Sequence, residues 1–96
     1  MQGEKYIKML VEQFHSATVA TIGPDGHPQT RVIDMMLWDE EGIYFLTAQG
    51  KEFFRQLIEQ EYVAVSAVKV KAAVSLRGWV RCIGSRKLGE IFEKNP

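Results

Sequence analysis

Cysteine is nearly absent from this 96-residue sequence: Cys82 stands alone, which excludes an internal disulfide and any zinc centre built on several thiolates. A lone thiol suits a reducing compartment, so the cytoplasm is the default expectation. Histidine is almost as scarce, since His15 and His27 lie apart in the sequence without evident ligand partners, and no metal site is expected from them. An excess of either charge is missing too. Twelve Lys and Arg balance twelve Asp and Glu, giving a formal net charge of zero, so no overall positive field exists to hold nucleic acid by charge alone. Any anion site must be local. No apolar run approaches the roughly 20 residues of a membrane span, and "MQGEKYIKML" does not follow the basic-then-apolar order of a secretory leader. Neither membrane association nor export is expected. Ser66 and Ser75 sit in no nucleophile motif, so serine-based hydrolysis has no support.

What is present is 46% hydrophobic residues with 10% aromatics, enough to bury a core in one domain spanning 1–96, with no repeat or linker to divide it. Ile7, Leu10, Val11 and Phe14 recur at helical spacing, which predicts an amphipathic helix over Glu4–His15. "ATVATIG", Ala17 to Gly23, reads as a strand, and Pro24, Asp25 and Gly26 supply a tight turn into a second strand over Gln29–Trp38. After the acidic turn Asp39–Gly42, a third strand over Ile43–Thr47 completes a meander. Gly50 breaks that pattern, and Phe53, Phe54, Leu57 and Ile58 share one face of a second helix starting at Lys51. Tyr62–Val68 and Ala73–Gly84 read as strands around a "KVKA" loop or strand edge, and Lys87–Lys94 reads as a third helix. Mostly antiparallel strands with peripheral helices suggest a small barrel, whose closure removes exposed edges.

The chemistry centres on "GHPQTRVIDMM". Side chains alternate along a strand, so Arg31, Ile33, Met35 and Leu37 share one face while Val32, Asp34, Met36 and Trp38 share the other. Arg31 and Asp34 therefore point apart, and each needs its own partner or water. In "LTAQGK", Thr47 ends a strand and Lys51 enters a helix whose free N–H groups favour an anion, a phosphate cradle that the Arg31 guanidinium can join. A solvated lysine after a capping turn is the plainer reading of the same residues. In the last strand Arg77, Trp79 and Arg81 form a stripe that suits solvent, base stacking or a subunit interface, while Val74, Leu76, Val80 and Cys82 alternate as core.

Taken together, "ATVATIGPDGHPQTRVIDMM", "GIYFLTAQGKEFFRQL", "YVAVSAV" and "VSLRGWVRCIG" resemble the pyridoxamine 5'-phosphate oxidase-like family of FMN-binding split β-barrels, in particular its short members, over roughly Phe14 to Phe92. The resemblance implies a mainly β fold with peripheral helices, an antiparallel split β-barrel. It also implies FMN as cofactor, its phosphate held by Arg31, Thr47 and Lys51. Val32, Ile33 and Asp34 line the flavin ring in that reading, with Leu46 and Gln49 nearby, and no catalytic acid or base is required of the protein. A homodimer is implied, with FMN between the subunits and Trp79 and Arg77 reaching the partner's flavin.

Three departures qualify the carry-over. The "TAQGKEFF" spacing is shorter than the Ser-Arg-Lys form of true pyridoxamine phosphate oxidases. The Arg-and-His element those enzymes use on their substrate is absent, so oxidation of pyridoxamine phosphate itself is not expected. Relatives continue past "IFEKNP", so a form shortened at the C-terminus is expected. The expected function is an FMN-dependent oxidoreductase acting on a small molecule, with NADH or NADPH as candidate donor. The alternatives are a non-catalytic flavin carrier, haem or a deazaflavin in place of FMN, or a barrel binding RNA or protein through the Arg77-Trp79-Arg81 face.

Overall fold

Period-two burial sets the centre of the fold. In the computed structural model, which describes residues 2–69 and 72–95, the first strand β1 (Ser16–Ile22) buries Ala17, Val19 and Thr21 and exposes or half-exposes the residues between them. It is therefore an interior strand. It lies between β2 (Pro28–Asp34) and a later strand, Tyr62–Lys69, which pairs in turn with Ala72–Trp79, all antiparallel. The β1–β2 turn is closed by the Gly26 N–H on the Gly23 carbonyl at 3.0 Å, and Gly26 adopts φ 82, a left-handed backbone that glycine reaches without steric cost.

Register divides the sheet into two faces. Val19 stands opposite Arg31 on one side and Val65 on the other, and Val65 opposes Leu76, so these four share the face covered by helices. Thr18 stands between Val32 and Ser66, and this second face is open: Val32 is 69% exposed and Val68 82%.

The expected second strand, Gln29–Trp38, is broken in two. The Met35 N–H turns to the His15 carbonyl at 2.6 Å and the Met36 N–H to the Tyr44 carbonyl at 3.0 Å, so the chain leaves the main sheet at Met35. Leu37–Asp39 (β3) then pairs with Gly42–Tyr44 (β4) as a separate two-stranded sheet. The expected meander is thus two hairpins in two sheets, and β4 ends before the predicted Phe45–Thr47 extension. With β5 (Tyr62–Lys69) and β6 (Ala72–Trp79), the split between sheets is complete. Val70 and Lys71, within the predicted "KVKA" loop, lie outside the described residues.

The expected first helix is present as α1 (Gln2–Met9), continued by a π-helical turn, Leu10–Phe14. Leu10 is fully buried, and the segment stops at His15, whose φ of 63 and ψ of −56 are strained for a side chain with a Cβ. Helix α2 (Glu52–Gln60) buries Phe53, Gln56 and Leu57, while Ile58, predicted on the inner face, is 46% exposed. A polar residue occupies the apolar stripe instead. One core joins Leu10, Val19, Met35, Phe53, Leu57, Val63 and Val74 across helices and sheet.

The last strand was expected to reach Gly84 but β6 ends at Trp79. Val80, just past that end, still packs against the core as predicted, but without a continuing strand Cys82, predicted in the core, is exposed. Helix α3 (Leu88–Lys94) buries Ile91 and leaves Phe92 59% exposed, and the Asn95 side chain donates to the Met36 and Ile91 carbonyls at 2.9 Å each, tying it to the loop before β3.

Candidate functional site

Arg31 lies on the inner face of β2, where α2 crosses the sheet. Its Nη1 donates to the Thr21 hydroxyl at 2.7 Å, the Val19 carbonyl at 3.3 Å and the Gln29 carbonyl at 3.4 Å, and its Nη2 donates to Gln56 Oε1 at 3.3 Å. The guanidinium sits 4.3 Å from the centre of the Phe53 ring, a cation–π contact. Every one of these partners is neutral. Among the described residues no carboxylate comes within salt-bridge distance of Arg31, and burial holds its pKa below the ordinary arginine value. A half-buried cation with no counter-charge has the chemistry to take up an anion.

Phe53 belongs to the first turn of α2, so the same contact fixes Arg31 beside the start of that helix. Lys51 is the residue before the helix, extended at φ −88 and ψ 149, exposed, and makes no side-chain bond to the first turn. The helix N–H groups there are left with no side-chain cap. Glu52, the next residue, is taken up by Arg55 at 2.6 Å, and that hydrogen bond lowers the Glu52 pKa and raises that of Arg55.

On the other side of α2 a cavity of about 620 Å³ opens between β4, the 45–49 segment, Phe54 and the end of β6. Its size falls in the range of small-molecule sites, roughly 300–1,000 Å³. Leu46, Thr47, Gln49, Arg77 and Trp79 all line it. Since Phe53 lies beneath Arg31 and Phe54 lines the cavity, the two features adjoin across one turn of helix.

The ten sequence-predicted site residues thus fall into three groups. Five line the cavity. Arg31 and Lys51 flank the start of α2, with Ile33 on the inner face beside them, packed against the core. Val32 and Asp34 are on the open face, away from Arg31, as their alternation requires. Asp34 accepts from the Ser16 hydroxyl at 2.7 Å and has His15 Nε2 at 3.9 Å, both at a half-exposed edge. The predicted Arg77-Trp79-Arg81 stripe is shorter than expected, because Arg81 lies past the end of β6. Trp79 remains 81% exposed and packs edge-on against Tyr62 at 5.1 Å between centroids.

Sequence reasoning passed over Gln56 and Thr21, the acceptors that fix Arg31, and Arg86 and Lys87, which join Arg81 in a basic loop lining the cavity. Arg86 and Arg81 reach Glu41 at 3.4 and 3.9 Å, and Lys87 reaches Asp39 at 3.2 Å. Burial would raise the Asp39 carboxyl, but the Glu41 N–H, Lys87 and the Tyr44 hydroxyl outweigh it and hold it below the ordinary range. The same Asp39 contact raises Lys87. The signal for Gln56 was a polar residue three positions after Phe53 on an otherwise apolar helix face.

A family model described as pyridoxamine 5'-phosphate oxidase matches residues 4–95. Among curated relatives, a pyridoxine/pyridoxamine 5'-phosphate oxidase of Christiangramia forsetii is 28% identical over 88 residues, covering 90% of this chain and 41% of that protein. Its namesake from Paracidovorax citrulli is 30% identical over 88 residues, covering 90% and 39%. The chain therefore spans about two-fifths of the length of these relatives. Among solved structures, an F420 reductase superposes with a TM-score of 0.72 at 26% identity, over 91% of this chain and 71% of that one. HutZ, the haem storage protein from Vibrio cholerae, gives 0.62 at 17% identity, over 94% and 78%, a likeness of fold alone. With the split antiparallel sheets, these matches establish that the chain belongs to the pyridoxamine 5'-phosphate oxidase family.

Proposed function

We propose that the chain binds a phosphorylated flavin, FMN, and serves as a flavin-dependent oxidoreductase on a small molecule. The observation that carries this reading is Arg31: a guanidinium held by four neutral acceptors over Phe53, with no carboxylate to neutralise it among the described residues. A phosphate monoester supplies the missing charge. Lys51 and the uncapped first turn of α2 add a second cation and free N–H donors next to it.

The residues present fit such a cofactor. The adjoining cavity is large enough for a planar ring system, with Leu46 and Phe54 as apolar walls and the Thr47 hydroxyl and Gln49 amide as polar groups. A bound flavin supplies hydride and electron transfer, which the side chains here do not. The protein's share is to hold the phosphate through Arg31, to orient the ring with Thr47 and Gln49, and to exclude water with the apolar walls. Val32, Val68 and Trp79, each more than two-thirds exposed, form an apolar open face that a second copy of the chain covers in the dimer we propose, bringing Arg77 and Trp79 to the partner's cofactor.

Fluorescence titration with FMN and with riboflavin, which lacks the phosphate, tests this reading. Arg31→Ala is expected to lose most of the preference for FMN while riboflavin affinity stays, and an unchanged preference contradicts the assignment. Anaerobic mixing of the FMN-loaded protein with NADH or NADPH then separates enzyme from carrier. Bleaching of the flavin by either donor is the expected result, and no bleaching by both leaves a carrier or a different reductant.

A further inference from the structure

Gln56 is 2% exposed on the inner face of α2, between Phe53 and Leu57, where a buried amide is costly unless all its polar atoms are paired. They are paired. Oε1 accepts from both the Thr21 hydroxyl and Arg31 Nη2, the latter at 3.3 Å, while Nε2 donates to Gln29 Oε1 at 3.1 Å and to Glu52 Oε1 at 3.5 Å. Thr21, 4% exposed, accepts from Arg31 Nη1 at 2.7 Å and donates its own proton to Gln56. Thr21 and Gln56 thereby close a ring with the guanidinium in which every acceptor atom has a donor.

That ring occupies one edge of the guanidinium. Thr21 and Gln56 take Nη1 and Nη2, and the Val19 and Gln29 carbonyls take what remains of Nη1. Among the described residues, Nε–H and the second hydrogen of Nη2 have no protein acceptor. These two donors form the side fork of arginine, whose spacing matches two oxygens of one oxyanion. The chemistry of the holder matters as much as its geometry. A carboxylate at position 56 would accept the same two hydrogen bonds but would neutralise the guanidinium. An amide fixes it and leaves its charge available.

We propose that Gln56, together with Thr21, is a positioning residue that locks Arg31 with its Nε–Nη2 fork turned to the cofactor phosphate while leaving the guanidinium charge uncompensated. The inference rests on the phosphate reading above and deepens it.

The ratio of riboflavin to FMN dissociation constants, measured by flavin fluorescence on the full chain with folding checked by circular dichroism, tests it. Gln56→Glu retains both acceptor contacts but gives up the Nε2 donation and sets a carboxylate against Gln29 Oε1 and Glu52 Oε1, so a purely structural role predicts lost stability with an unchanged ratio. The positioning role predicts a folded protein whose FMN preference falls at least tenfold with riboflavin affinity unaltered. Thr21→Val removes only the hydroxyl and is expected to lower the ratio about threefold; it decides between the two roles if Gln56→Glu does not fold. An unchanged ratio in the folded variants, while Arg31→Ala abolishes the preference, overturns the role of Gln56 and leaves the phosphate site standing. If Arg31→Ala also keeps the preference, the phosphate site itself is wrong and the inference falls with it.

Discussion

Replacing Arg31 with lysine keeps the charge and discards the fork. In the folded protein the guanidinium makes four hydrogen bonds to neutral acceptors and lies 4.3 Å from the Phe53 ring centre. An ammonium on a flexible stem cannot satisfy Thr21 and Gln56 together and still present two parallel donors to a phosphate. Two losses follow. Hydrogen bonds to a charged group contribute about 1.5–3 kcal/mol each; at about 1.4 kcal/mol per tenfold, the loss of one arm of the fork weakens FMN binding roughly ten- to hundredfold. Leaving a buried acceptor unpaired costs about 1–3 kcal/mol of folding stability, and Gln56 and Thr21, 2% and 4% exposed, have little access to water as a substitute. Urea titration of the unliganded chain reads the second loss, and FMN titration at fixed ionic strength reads the first. An Arg31→Lys protein that binds FMN as tightly as the parent would refute the bidentate reasoning, whatever its stability.

Lys51 is exposed at the entry of α2, so Lys51→Ala is expected to weaken FMN binding by only about three- to tenfold, an effect that shrinks as salt is added; equal loss for riboflavin would assign the effect to the ring and not the phosphate. Val68, 82% exposed on the open face, becomes a buried residue in the proposed dimer, and Val68→Asp is expected to shift the sedimentation mass from dimer to monomer; an unchanged mass removes that face from the interface. The Asp39 carboxyl lies below its ordinary value of 3.8 in the folded chain, so its pairing stabilises above that pH and is lost as pH falls through the folded value. Urea unfolding of Lys87→Met should therefore lose less stability than the parent on acidification below about pH 4, and parallel acid profiles would contradict the pairing.

Local patterns carried the sheet and the helices, and failed where long-range bonds took over. The strand at Ala17–Gly23 was visible because β-branched preference acts within the strand itself, whereas its burial of Ala17, Val19 and Thr21 came only with the fold. The break after Asp34 was not visible, since no glycine or proline marks it; it follows from backbone bonds to His15 and Tyr44, which only the assembled fold supplies. Cys82 was assigned to the core by extending an alternation past Trp79, where β6 stops. At the site, opposite faces for Arg31 and Asp34 followed from strand geometry alone. Arg31 could be read either as solvated or as waiting for an anion, because its acceptors Thr21 and Gln56 lie 10 and 25 residues away in sequence. Gln56 itself was legible only as an oddity on an apolar helix face.

Whether this fold holds a flavin by its phosphate is decided by the affinities of the unmodified chain for FMN and riboflavin, measured side by side at low and moderate salt. FMN is expected to bind at least tenfold more tightly, with a preference that narrows as salt rises. Equal affinities at both salt concentrations would mean that the phosphate is not what Arg31 holds.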